Sequence, residues 1–213
     1  NQILENFISK RTKLCIDNRL YLKKIIINNY KKTFEDINKI IDNKNIQKFV
    51  CNINKNLKII GITFTGKVFH IDWETNINND YKLDKRILGN IDPNEIINFH
   101  SITKGINNYL CIVNSDGRFK KVLFDEDMIK SNRSFAITKL KNNIKTIDSF
   151  IVDGKKNLII LTSIERIFKF NLSNEFLIPT SKQSQGLLLA KLLPTEKIVS
   201  CCPYQNEGNV YLV

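Results

Sequence analysis

NYLCIVNSDGRFKKVLF (108–124) sets apolar residues at alternate positions on both sides of Ser115-Asp116-Gly117. A period of two marks a half-buried strand, and Ser-Asp-Gly is turn chemistry, so the stretch predicts a β-hairpin. Arg118, Lys120 and Lys121 follow the turn directly.

Working outward, this hairpin has relatives. IIGITFTGKVFHIDW (59–73), LCIVNSDGRFKKVLF (110–124) and LIILTSIERIFKFNL (158–172) align without gaps. Each has an apolar strand, a polar turn, a basic residue just after it (Lys67, Arg118, Arg166) and a second alternating strand. Gly66 and Gly117 share one turn position, and Glu165 stands there in the third copy, which predicts a different turn type. The likeness continues downstream. SNRSFAITKLKNNIKTIDSFIV (131–152) resembles SQGLLLAKLLPTEKIVSCCPY (184–204), and LGNIDPNEIINFHSI (88–102) is a looser copy. A strand ends near Ile91, Leu140 or Leu192, a polar turn follows, and a strand containing Ile97, Ile147 or Val199 comes next. The repeat is therefore about 50 residues long with four strands, the sequence pattern of a propeller-like array whose units bury their faces by stacking. At least three blades are expected, and NVYLV (209–213) opens another copy.

Ahead of the repeats the period changes. Leu4, Phe7, Ile8, Cys15, Leu22, Ile25, Ile26, Tyr30, Phe34, Ile37, Ile40 and Ile41 recur at steps of three and four, uninterrupted by Pro or Gly. This predicts a long helix, or a helix pair joined near Asp17-Asn18, able to pack on another long helix or on the core. The expected organisation is a helical segment over 1–45 and β blades over 46–213.

The chain carries 33 Lys and Arg against 21 Asp and Glu, a formal net charge of +12. Such a surplus favours an anionic partner, nucleic acid or an anionic membrane surface. The sequence is also rich in Lys, Asn and Ile, as an AT-rich genome would make it, so the competing reading is a propeller-like protein-interaction scaffold with charge from genome bias. No apolar run reaches the roughly 18 residues of a transmembrane helix, so none is expected, and of the two anionic partners the reading takes nucleic acid and no membrane. The start lacks an initiator Met and a signal-peptide core, and the end stops inside strand-like sequence, so a longer parent chain is expected. The five cysteines have no metal-ligand spacing and read as reduced, buried small hydrophobes in a reducing compartment. His70 and His100 read as structural or surface residues, Trp73 as core, and Asp125-Glu126-Asp127-Met128 as a solvated acidic loop. No Gly-rich phosphate loop, nucleophile elbow or other catalytic constellation is present.

The repeat lacks the Gly-His and Trp-Asp marks of WD40 blades and the paired glycines of kelch blades. It resembles the C-terminal β-pinwheel of DNA gyrase and topoisomerase IV A subunits. The residues that carry the resemblance are TFTGKVFHI (63–71), NSDGRFKKV (114–122) and, most specifically, SKQSQGLLLAKLLPTEKIVSC (181–201) with Gly186, Leu192 and EKIVS in family order. The gyrase box, of the form Q-R/K-R-G-G-R/K-G, keeps only Lys182 and Gly186 between Thr180 and Gly186. The resemblance implies a DNA-binding, DNA-bending or DNA-wrapping part of a type IIA topoisomerase A subunit, with the helical segment as the exit of the breakage–reunion core. It implies double-stranded DNA, an ATPase B subunit and an A-subunit homodimer through the absent core as partners. It further implies ATP and Mg in the holoenzyme with no cofactor in this chain, and a home in the cytoplasm or nucleoid or in an organelle with its own DNA. The residues expected to trace a curved basic rim are Lys67, Lys85 and Arg86 in one blade. Arg118, Lys120, Lys121, Lys130 and Arg133 fall in the next, and Arg166, Lys169, Lys182 and Lys191 in the one after. A rim of this kind holds phosphates and favours bending without base contacts.

Overall fold

The computed structural model describes residues 12–26, 47–53, 56–74, 81–103, 108–124, 128, 134–152, 157–182 and 184–204. In chain order these form β1 (Thr12–Asp17), β2 (Tyr21–Ile26), β3 (Gln47–Asn52), β4 (Leu57–Thr63), β5 (Lys67–Ile71) and β6 (Tyr81–Lys82). A one-turn helix α1 (Lys85–Leu88) and a 3-10 turn (Pro93–Glu95) precede β7 (Ile96–Thr103), β8 (Asn108–Asn114), β9 (Arg118–Phe124) and β10 (Phe135–Ala136). Then come β11 (Thr146–Val152), β12 (Asn157–Thr162), β13 (Ile167–Asn171), β14 (Leu187–Leu188) and β15 (Ile198–Tyr204).

The strands make four antiparallel sheets, in the orders β3-β1-β2-β6, β10-β5-β4-β7, β11-β8-β9-β14 and β13-β12-β15. One rule generates all of them. A repeat supplies a hairpin, then a short strand that crosses to the outer edge of the preceding sheet, then a long strand that returns to its own hairpin. Thus β6 pairs with β2, β10 with β5 and β14 with β9, while β7, β11 and β15 come back to β4, β8 and β12. The returning strands β3, β7, β11 and β15 touch their successors and form the inner row of the array. The hairpins' second strands and the crossing strands form its outer edge.

The four hairpins share one turn. The last turn residue donates its N–H to the strand residue three before it: Leu20 to Asp17 (3.0 Å), Gly66 to Thr63 (3.0 Å), Gly117 to Asn114 (3.1 Å) and Glu165 to Thr162 (3.0 Å). That residue has φ of 64°, 76°, 80° and 63° respectively. A three-residue loop closed by a left-handed residue suits the right-handed twist of a hairpin. The different turn type expected from Glu165 does not occur; Glu165 adopts the glycine conformation. The buried residue before each turn is polar, and in the first, second and fourth hairpins its side chain serves backbone donors. Asp17 Oδ1 accepts from Arg19 N–H (2.9 Å) and Tyr21 N–H (3.0 Å), and Thr63 Oγ1 accepts from Lys67 N–H (3.1 Å).

The expected N-terminal helix is corrected over residues 12–26, which form β1 and β2 and supply a fourth hairpin. The first sheet takes β1 and β2 from before residue 46 and β3 from after it. The remainder of the expected helix lies outside the described residues. Cys15 and Leu22, read as a helical stripe, are buried from opposite strands of one hairpin.

Apolar layers fill the three gaps between sheets. Leu14, Ile16 and Leu22 meet Ile59, Phe69 and Phe99 between the first and second. Ile60 and Ile62 meet Leu110, Ile112 and Phe124 between the second and third. Cys111, Val113 and Phe119 meet Leu158 and Ile160 between the third and fourth. The middle sheets are covered on both faces, which is why LKIIGIT and LCIV are near-continuous apolar runs. Trp73 is core, as expected, and its Nε1–H donates to the Leu57 carbonyl at 3.0 Å.

Candidate nucleic-acid interface

The residue that leaves each turn begins or directly precedes an outer strand, so its side chain is placed alike in successive sheets. Lys67, Arg118 and Arg166 hold this position in the second, third and fourth, and Tyr21 holds it in the first. All three cations are partly exposed, and the two arginines are anchored. Arg118 sits 3.3 Å from Asp116 and donates through Nη1 to the Gly186 carbonyl. Arg166 bonds Glu196 at 2.9 Å, reaches the Lys191 carbonyl and lies 4.6 Å over the Phe168 ring. In the first hairpin the cation is Arg19, inside the turn, bridged to Asp17 at 3.2 Å and 5.2 Å over the Tyr21 ring. Sequence reading missed Arg19 because its hairpin was read as helix.

Two more exposed lysines are pinned beside the turns. Lys145 exchanges hydrogen bonds with Ser115, its carbonyl accepting from the Ser115 N–H (2.8 Å) and its N–H donating to Ser115 Oγ (3.1 Å). Lys197 does the same with Ser163, at 2.8 and 3.1 Å. Ser115 and Ser163 are the first turn residues in two aligned copies, a recurrence that would have exposed both lysines. In the second blade an acidic residue takes this place: Glu95 accepts from the Phe64 N–H and from Thr65 Oγ1.

The other expected rim residues divide by place. Lys85 and Arg86 are exposed on α1, where Asp84 caps the helix and binds the Arg86 guanidinium at 2.9 Å. That hydrogen bond holds the Asp84 carboxyl below its ordinary range. Lys169 is exposed on β13, with its ammonium 5.6 Å over the Tyr204 ring, and Lys191 is exposed in the segment before β15. Lys182 is partly exposed and lies 4.8 Å over Phe135 of β10. Lys130 and Arg133 lie outside the described residues.

Lys120 and Lys121 are corrected: both are fully buried, at 0% exposure, and neither ammonium reaches solvent as a phosphate contact requires. Consecutive strand residues point to opposite faces, and both faces of the third sheet are covered. The Lys120 ammonium donates to the carbonyls of Lys182 (2.6 Å) and Ser184 (2.9 Å), and burial pushes its pKa down to about 8. The Lys121 ammonium donates to the Leu172 carbonyl and lies 4.8 Å over Tyr109, and burial lowers its pKa also.

His100 is structural: its Nε2 is 2.8 Å from Ser149 Oγ, tying β7 to β11, and burial lowers its pKa to about 4, so the ring is neutral. Cys15 and Cys111 are buried thiols as expected, Cys51 and Cys201 are half-buried, and Cys202 is exposed, contrary to expectation. Burial raises the Cys15 thiol to about 11 and the Cys51 and Cys201 thiols to about 12. Among the described residues no group of His, Cys, Asp and Glu is placed to hold a metal ion, and no helix is long and apolar enough to cross a membrane.

Four sheets, the first three each finished by a strand from the next repeat, define the protein class: a strand-exchanged β-pinwheel. No protein-family model and no curated protein sequence matches the chain. Solved structures do. The C-terminal domain of DNA topoisomerase IV matches with a TM-score of 0.71 at 17% identity, over 92% of this chain and 61% of that one. The C-terminal domain of ParC from E. coli matches with a TM-score of 0.65 at 13% identity, over 91% of this chain and 79% of that one. The C-terminal domain of DNA gyrase A matches with a TM-score of 0.59 at 17% identity, over 90% of this chain and 64% of that one. The particular fold is thus the one these three domains share, and the chain spans about three fifths of the topoisomerase IV structure's length.

Proposed function

We propose that this chain binds double-stranded DNA along its outer edge, as the DNA-binding and DNA-bending part of a type IIA topoisomerase A subunit of gyrase or topoisomerase IV type. The observation that carries the reading is the cation at one structural position in three successive sheets, Lys67, Arg118 and Arg166, with Lys145 and Lys197 beside the same turns. Sheets fanned about an inner row set such positions on a curve, and a curved row of cations favours bent duplex. Cations at the rim of a curved edge meet phosphates, which position a duplex without reading its sequence. An ATPase B subunit, with its ATP and Mg, and an A-subunit homodimer complete the proposed assembly.

The test is fluorescence anisotropy on a linear duplex of about 40 base pairs across a salt series. Five cations on phosphates give a log–log slope of roughly −4 to −5. Arg118→Glu with Arg166→Glu should weaken binding at least tenfold and flatten the slope by about two. Binding that is weak and indifferent to salt would refute the proposal and leave the scaffold reading.

A further inference from the structure

Lys120 occupies a strand position that the aligned copies give to Phe69 and Phe168, both packed into interblade cores. A lysine there is fully buried, so its ammonium must find acceptors within the protein. It finds two carbonyls, of Lys182 and Ser184, at 2.6 and 2.9 Å.

Those carbonyls belong to an excursion in the strand that crosses to the third sheet. Thr180 runs beside β9, its N–H donating to the Lys121 carbonyl (2.8 Å). The chain then departs and rejoins β9 at Leu187, opposite Phe119. Between these two contacts β9 contributes one residue, Lys120. Gly186 closes it at φ 86°, where a Cβ would stand 2.3 Å from the Phe119 carbonyl oxygen. The excursion also spans the seam to the second sheet. The Ser184 carbonyl accepts from the Lys139 N–H (3.3 Å), and the Lys182 ammonium rests on Phe135.

We infer that Lys120 is the positioning residue of this excursion: its buried ammonium holds the Lys182 and Ser184 carbonyls at the seam and so places Lys182 on the outer edge, without touching a phosphate itself. The placement of Lys182 against DNA rests on the proposed function; the hold on the excursion does not. An ammonium is suited to the task because it offers three donors from one point, and its charge strengthens each bond.

The test is a double-mutant cycle with hydrogen exchange as an independent readout. Lys120→Met keeps the stem and removes the donors; Lys120→Phe installs the residue type of the second and fourth blades. Either variant that keeps the wild-type far-UV spectrum serves. Exchange of the amides of Ser181, Lys182 and Ser184 to Gly186, measured without DNA, should accelerate at least tenfold, and unchanged exchange would overturn the hold. Lys182→Ala should weaken binding of a linear duplex about threefold in the wild-type background and have no further effect beside Lys120→Met. A cost of Lys182→Ala that persists beside Lys120→Met would overturn the positioning role. A Lys182→Ala variant with wild-type affinity would overturn the DNA part alone, with the exchange result still deciding the hold.

Discussion

Gly66 and Gly117 hold the same turn position with nearly the same φ, 76° and 80°, yet alanine should cost far more at one than at the other. Left-handed backbone costs a residue with a Cβ about 1 kcal/mol or somewhat more, and both variants bear that. At Gly66 the new carbon would meet the Thr138 methyl at 2.7 Å, a side-chain tip that can turn away, for a total near 2 kcal/mol. At Gly117 it would meet the Ala190 carbonyl oxygen at 2.0 Å and the carbonyl carbon at 3.1 Å. Backbone cannot rotate aside, so the crossing segment must move out by over an ångström (~1 Å). That movement breaks the bonds by which the Leu189 and Ala190 N–H groups reach the Gly117 carbonyl, both 3.2 Å. At roughly 1 kcal/mol for each lost bond, added to strain and overlap, Gly117→Ala should cost about 4 kcal/mol. In a chain of this size that lowers Tm by roughly 10 °C, against about 5 °C for Gly66→Ala. Urea and thermal unfolding of the two variants, followed by circular dichroism, measure the difference. Equal costs, or a larger one at Gly66, would show that the Ala190 contact does not decide the stability of the third sheet's edge.

Two further outcomes follow from burial. Ile60 and Ile159 are equivalent in the aligned hairpins, but Ile60 is sealed between two sheets while Ile159 looks outward from the fourth and is only half-buried, so Ile60→Ala should cost about 3 kcal/mol and Ile159→Ala about 1 by urea unfolding. The Lys120 ammonium, with a pKa of about 8 against the ordinary 10.5, binds its proton less readily folded than unfolded, so wild-type stability should rise relative to Lys120→Met as pH climbs from about 8 to 10 and be lost again on return, a swing of up to about 3 kcal/mol; parallel profiles of the two proteins would contradict it.

The second, third and fourth hairpins were legible because alternation, turn polarity and a following cation recur in register. The first was not. Leu20 stands where glycine was looked for and bears φ 64°, while Cys15, Leu22, Ile25 and Ile26 fall by chance at helical spacing. Adjacent strands of one hairpin can imitate a helical stripe when the turn carries an apolar residue. The crossing of each short strand to the sheet before it left no mark in the sequence, because two-residue pairings such as Leu187–Leu188 on β9 carry almost no pattern. The site was legible in part. The turn pattern placed Arg118 and Arg166 at one partly exposed position, but Lys120 and Lys121 were misplaced by the assumption that charge lies outside. In a sheet covered on both faces, residues in the middle of a strand are interior whichever way they point, and a lysine there must be read by what its ammonium can reach.

Because every crossing strand finishes the sheet before its own, the chain cannot complete a blade in the order in which it is made. As the polypeptide leaves the ribosome, β2 keeps a bare edge until Tyr81 emerges, and β5 keeps one until Phe135 does. Each nascent blade is thus a temporary sticky end, capped only by synthesis of its successor. For the same reason, excising one genetic repeat would not remove one sheet: it would take three strands from one and the edge from another. Gain or loss of blades over generations is thereby confined to changes in which the repeats on either side of the cut can still trade strands.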